Sequence, residues 1–405
     1  MSLYQLEKDG DAEALIDYLL GGETAAIRRR AAEVLGDLEA DDPQVVEKLV
    51  RAATDDDDEA VRGAAIDALD RIGQDAIEQL IVSLSGQDVE AGADWMRARA
   101  FVKTLSADRP ELRMASANAL GRLGDEDAVP ALVESLTDPD PRVRERVARA
   151  CGKLGDPRAV DALRERVDGD ERRVRQAAAD ALAAIGSKRA LAALLDRVED
   201  DSPEVRYVAA SALGDYGGPK PIDALVETLG DENDAVRRAA VYSIVELLSN
   251  APAERSHEIR QTVVDRLGET AGGSVVESLV ELVEEGRQTA QRRNAAWLLG
   301  RTVGETHRSR AVDALVSALG DDDEMTAQFA ATSLVTIGDD DVTDALLDLL
   351  EDPESDQAAA KAVFVLGKVG DARARERLES LVESTEDPEV RKQAFSALSK
   401  LGGKR

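Results

Sequence analysis

Two histidines, one cysteine and three short acidic runs are the residues through which this 405-residue chain could do metal or nucleophilic chemistry. His257 precedes Glu258, a pairing that can set an imidazole and a carboxylate on one metal, but the other histidine, His307, precedes Arg308. A dinuclear centre needs several such ligands converging from different helices, so two histidines exclude it; both fall in predicted connections and read as polar loop residues. The runs Asp55 to Asp58, Asp321 to Glu324 and Asp339 to Asp341 lack the glycine-centred spacing of a calcium loop and read as solvated turn charge. No glycine-rich phosphate loop, nucleophile elbow or cysteine cluster appears. The expectation is a protein with no catalytic residues, no cofactor and no metal.

What must position any functional residue is a repeat. Val143-Arg144, Val174-Arg175, Val205-Arg206 and Val236-Arg237 recur at an interval of 31 residues. Each is followed by alanines, an apolar residue seven after the arginine that is most often leucine across the repeats, and in most copies a glycine-containing break, as in Ala212-Leu213-Gly214. A second stretch with apolar residues three and four apart comes next, as in Ala159-Val160-Asp161-Ala162-Leu163, so each unit is a pair of helices. Following the arginine gives Arg28, Arg62, Arg113, Arg144, Arg175, Arg206, Arg237, Arg292 and Arg391, with Ala327 and Ala359 in the same register. The spacing stretches to 51 after Arg62 and 55 after Arg237, so a helical insertion enters at each place. Residues 11 to 20 and 388 to 401 read as half-repeats closing the ends.

These eleven units resemble the short HEAT-like repeats of phycobilisome (bilin) lyase subunits over roughly residues 20 to 402. The resemblance implies an all-α, right-handed α-solenoid whose second helices line the concave side. It implies little about activity, because similar stacks serve as scaffolds, chromophore lyases and metal-dependent hydroxylases. The hydroxylases that use repeated His-Glu dipeptides are excluded by the single pair here. A bilin-lyase-like enzyme would cradle a tetrapyrrole with clustered aromatics, yet this chain has two Trp, four Phe and five Tyr, and Trp297, Tyr216 and Phe364 sit at repeat core positions. The domain expectation is one continuous solenoid over residues 1–405, with an arm to about 249, an irregular insertion at about 250–285 and a second arm from about 286.

The net charge of −31 comes from 82 acidic against 51 basic residues, only 11 of them lysine. Molar salt shortens the screening length to roughly 3 Å and removes the self-repulsion of such a surface. The composition therefore resembles that of a haloarchaeal protein. Without a cationic track the chain offers phosphates nothing continuous, so no nucleic-acid partner is expected. Met1 to Gly10 carry no signal-peptide core and no stretch of about 18 apolar residues exists, so a cytoplasmic protein without membrane insertion is expected. Cys151, at the leucine position of its repeat, reads as a small core residue.

Function must then lie on surfaces. Arg62, Arg113, Arg144, Arg175, Arg206, Arg237 and Arg292 read as a structural ladder bonding carboxylates and helix-end carbonyls of the adjacent repeat. A second row follows the core leucine of each second helix: Val50, Ile81, Val133, Leu195, Val226, Val280, Val316 and Leu347, interrupted by Arg164 and Glu379. It either seals repeats together or lines a groove. The insertion from Ala93 to Ser106 reads as a first helix lacking its second, and it gathers Trp95, Met96 and Phe101 beside Arg97 and Arg99, the composition of an interaction hot spot. Trp95 and Phe101 could equally plug the gap the missing helix leaves. The candidate partner contacts are thus Trp95, Met96, Arg97, Arg99, Phe101, Val133, Leu195 and Val226, and the expected function is a non-enzymatic scaffold for protein partners. Proteins similar to this one in haloarchaea are associated with taxis signalling, contacting response regulators and the machinery that switches the rotary motor. That resemblance implies an accessory role between the two.

Overall fold

A computed structural model describes residues 6, 8, 10–38, 42–85, 94–268, 272–351, 355–385 and 387–402. Ala93 and Ala271 of the two insertions lie outside these residues. The chain packs as two compact units, residues 1–197 and 198–405, divided ahead of the expected insertion at 250–285. Among the described residues the structure is helical, with short 3-10 turns and no strand.

The first unit runs α1 (Ala12–Gly21), α2 (Ala25–Asp37), α3 (Pro43–Asp55), α4 (Glu59–Ile72), α5 (Gln74–Ser85) and α6 (Asp94–Thr104). It continues through α7 (Pro110–Leu123), α8 (Val129–Ser135), α9 (Pro141–Leu154), α10 (Val160–Gly169), α11 (Arg172–Ile185) and α12 (Lys188–Ala193). The second unit has α13 (Pro203–Leu213), α14 (Ile222–Thr228), α15 (Asp234–Ser249), α16 (Ser256–Leu267), α17 (Gly273–Glu285) and α18 (Thr289–Thr302). There follow α19 (Arg308–Ser317), α20 (Glu324–Ile337), α21 (Asp340–Leu349), α22 (Asp356–Val369), α23 (Ala372–Ser384) and α24 (Pro388–Gly402). The arginine register marks the first helices α2, α4, α7, α9, α11, α13, α15, α18, α20, α22 and α24.

The acidic runs act as helix starts rather than as idle turn charge. Asp58 accepts the amides of Ala60 and Val61, Asp323 that of Thr326, and Asp339 that of Val342. Each thereby satisfies donors that the first turn leaves without intrahelical partners. His257 lies in the first turn of α16 rather than in a connection, while His307 ends the 3-10 turn before α19. Cys151 is buried, and burial pushes its thiol up to about 12, which leaves it unreactive. Trp297, Tyr216 and Phe364 are half-buried, not core.

Successive first helices approach closely because a glycine eight residues past the register faces a small residue six past the next. A Cβ on Gly36 would lie 2.7 Å from Ala68 Cα, and one on Gly152 would lie 2.9 Å from Ala181 Cα. Gly155, three residues further on, ends its helix at φ +67, which glycine adopts without strain. Gly36→Ala is expected to force α2 and α4 apart and to cost about 1–3 kcal/mol, read as a lower urea midpoint. An unchanged midpoint would show that the two backbones can separate freely. In α20 and α22 the paired positions are Val335 and Val365 and the register arginines are alanines, and these helices pack more sparingly than α18 on α20.

Both insertions are built alike. The helix α6 was expected in the first layer, but it packs on α7 as α3 packs on α4, and so joins the second layer behind α5. In the second unit α17 likewise packs on α18, and α16 stacks on α14 and α15. Each insertion therefore adds one helix to the second layer only. The first helices on either side, α4 with α7 and α15 with α18, share correspondingly little surface.

Candidate functional site

Most register arginines reach in two directions. Arg144 donates through Nε and Nη2 to both oxygens of Asp170, at 2.8 and 2.6 Å, while Nη1 donates back to the carbonyl of Asp138 at 2.7 Å. Arg113 bonds Asp138 and the carbonyls of Ala107 and Asp108 in the same way, Arg206 bonds Asp231 and the Asp200 carbonyl, and Arg292 bonds Asp321 and the Gly286 carbonyl. Arg62 spans the first insertion to Glu111 and donates to the Asp56 carbonyl. Arg175 donates to the Asp170 carbonyl; Arg237, with the second insertion ahead of it, donates to the Asp231 carbonyl and turns to Asp234 of its own helix. In Arg113, Arg144, Arg206 and Arg292 one planar fork thus joins a carboxylate of the following connection to a carbonyl of the preceding one.

The electrostatics follow from that geometry. Burial alone would raise Asp170 and Asp231, but hydrogen bonds from Arg144 and Arg206, with the amides of Glu171 and Asn233, outweigh it and hold both below the ordinary carboxylate range. The same balance lowers Asp56 beside Arg28 and Glu111 beside Arg62. A group whose pKa is lower folded than unfolded stabilises fully above its unfolded value, near 4 for a carboxylate, and that stabilisation disappears as pH falls through the folded value. In molar salt, which screens the overall charge, the urea midpoint is expected to be level from about pH 7 to 5 and to fall steadily below about 4. A midpoint that stays level or climbs toward pH 3 would contradict the ladder's contribution.

The candidate contacts separate by face. Trp95 and Met96, 60% and 41% exposed, stand on the outer side of α6, with Arg99 also exposed. Arg97 turns back and pairs with Glu78 of α5 at 2.9 Å and with Asp94. Phe101 is fully buried, together with Ala98, so it plugs the join to α7 and offers a partner no surface. Val226 is also buried, by the helices around α14, whereas Val133 and Leu195 are half-buried. Sequence reasoning missed Val82, which lies beside Val50 in a groove of about 640 Å³ between α3 and α5, walled by Glu78 and Gln79. Arg97 therefore ties the helix bearing Trp95 to the wall of that groove.

A second groove, about 430 Å³, opens on the first-helix layer of the first unit. The cause is α6: by widening the second layer it lets α4 and α9 close over α7. Arg146 meets Asp67 at 2.5 Å, Arg142 meets Glu59 at 3.3 Å, and Arg122 and Lys153 share Asp70. Six arginines, among them Arg29, Arg149 and Arg173, face five carboxylates there. Among the described residues no cluster of three or more His, Cys, Asp or Glu is placed to hold a metal, and no helix is long and apolar enough to cross a membrane.

Paired helices stacked through a ladder at one register define an all-α solenoid. The chain belongs to the HEAT-repeat family, whose model matches residues 12–91, 98–183, 168–245, 276–362 and 353–405. It is 49% identical over 406 residues to a HEAT repeat-containing taxis protein of Halobacterium salinarum, covering all of this chain and 99% of that one. Among solved structures, a crystal structure of an engineered protein aligns over 97% of this chain and 99% of its own, at 23% identity and a TM-score of 0.42.

Proposed function

We propose that the chain is a non-enzymatic cytoplasmic scaffold in taxis signalling, which holds a partner protein on the second-helix layer of its first unit. The observation that carries this reading is the exposure of Trp95 and Met96 on a helix whose opposite side is anchored by Phe101. A large apolar ring standing in water costs free energy unless something covers it, and tryptophan beside arginine is the usual centre of a binding hot spot. The groove containing Val50 and Val82 extends the apolar surface, and Glu78 and Gln79 give it a polar rim. The resemblance to taxis proteins supplies the class of partner, response regulators and the components that switch the motor. The ladder residues Arg62, Arg113, Arg144, Arg175, Arg206, Arg237 and Arg292 serve the array and not the partner.

The test is capture of co-expressed response regulators in molar potassium chloride, comparing the wild-type chain with Trp95→Ala. Capture is expected to drop by at least tenfold while the melting temperature moves little, because the ring is mostly in solvent. Arg173→Glu, on the first-layer groove, is expected to leave capture intact. Full capture by Trp95→Ala would end this reading, and so would a large loss of stability, since the ring would then be part of the core.

A further inference from the structure

In three repeats of the first unit the basic residue nine positions past the register ends on a carboxylate of an earlier repeat, whereas Lys400, at that position in α24, lies over the Phe364 ring at 5.8 Å. Arg71 pairs with Asp37, and Arg122 and Lys153 pair with Asp70. Arg301 holds that position in α18 and reaches no carboxylate among the described residues. Its guanidinium lies over the Trp297 ring, 4.6 Å from the centroid, and Nη1 donates to the carbonyl of Trp297. The second insertion brings another arginine to the same ring: Arg260 of α16, 4.9 Å from the centroid. Arg260 donates through Nη2 to Asn294 Oδ1 at 2.9 Å, and Asn294 donates in turn to Ser249 at 3.0 Å. Its Nη1 is buried without a hydrogen-bond partner.

Two guanidinium groups thus share one indole, in a chain with 82 acidic residues, and among the described residues neither forms an ion pair. Burial pulls the pKa of both downward, and at Arg301 the charge of Arg260 adds to the effect, yet arginine stays protonated. Stacking on the ring offsets part of the cost but leaves Nη1 of Arg260 without an acceptor. A desolvated pair of like charges with an unspent donor is stable when a counter-charge arrives from outside. The planar fork of a guanidinium fits two oxygens of one group better than a spherical halide.

We propose that Arg260, Trp297 and Arg301 form a binding site for an oxyanion, a carboxylate or a phosphate, on the second unit. The site is independent of the docking surface on α6. Trp95→Phe leaves Trp297 as the only tryptophan, so its emission reports the site directly. Potassium phosphate and potassium glutamate are titrated separately into the full chain at constant ionic strength, in about 2 M potassium chloride. A saturable emission change is expected with at least one of them, and whichever arm saturates at lower concentration identifies the source of the oxygens. Arg260→Gln and Arg301→Gln should each weaken it at least tenfold, and Arg260→Lys, which keeps the charge and loses the fork, should weaken it with helicity intact. The melting temperature of the chain should rise with the same anion and not in the variants. A response linear in salt for both anions, or a saturable one that survives all three substitutions, would overturn the proposal.

Discussion

Arg144→Ala is expected to destabilise the first unit by about 3 kcal/mol, near the lower end for breaking a buried pair from one side. The reason is the acceptor rather than the arginine. The Asp170 side chain is 4% exposed and loses both oxygens' bonds to Arg144, keeping the Glu171 amide and Arg166 at 3.5 Å. The Asp138 carbonyl loses its donor as well. Arg144→Lys retains a charge but cannot serve carboxylate and carbonyl together, so it should fall between alanine and wild type. Asp170→Ala should restore part of the loss in the double variant, because the stranded charge is then gone. Units of a solenoid contact only their neighbours, so the damage should be local. Hydrogen exchange should quicken in residues 141–185 and change little at α2. The control is Arg375→Ala, whose partner Glu379 is on the same helix with both side chains about half exposed, and which should have no measurable effect. Equal urea midpoints for Arg144→Ala and Arg375→Ala would dismiss the ladder as a source of stability.

The arginine period was legible because one residue type recurs at one register, and a helix pair is the unit that 31 residues can build. The acceptors were not, because Asp138, Asp170, Asp231 and Asp321 lie in connections of unequal length, where acidic residues are common and their aim depends on the turn. Where a break carries two glycines, they look alike in the sequence. Only packing separates Gly152, where a Cβ would strike Ala181, from Gly155, where the backbone turns left-handed. The layer of α6 was also hidden. An amphipathic stretch states that one face is covered but not by what, and the helix goes where α5 and α7 leave room. For the same reason nothing in the sequence brings Arg260 to Trp297, which an inserted helix supplies from outside the repeat.

Phe101→Ala provides the sharpest contrast with Trp95→Ala, since the two rings sit on one helix and should have opposite effects on stability. Phe101 is fully buried with Ala98 beside it, and its removal leaves a cavity that the rigid first layer cannot collapse into, at a cost of about 3–5 kcal/mol. The loss should be felt through α7, which carries Met114 fully buried and whose Ser116 shares a hydrogen bond with Thr104 of α6. Exchange should accelerate over residues 94–123. Partner capture should fall in both variants, for different reasons: with Trp95→Ala the contact is missing on an intact helix, whereas with Phe101→Ala the helix that presents it is released. Phe101→Leu separates the two, because it refills most of the cavity and should recover capture and stability together. If Phe101→Ala unfolds no earlier than wild type, α6 is not anchored by its inner face, and the exposure of Trp95 would mark a loosely held segment instead of a presented site.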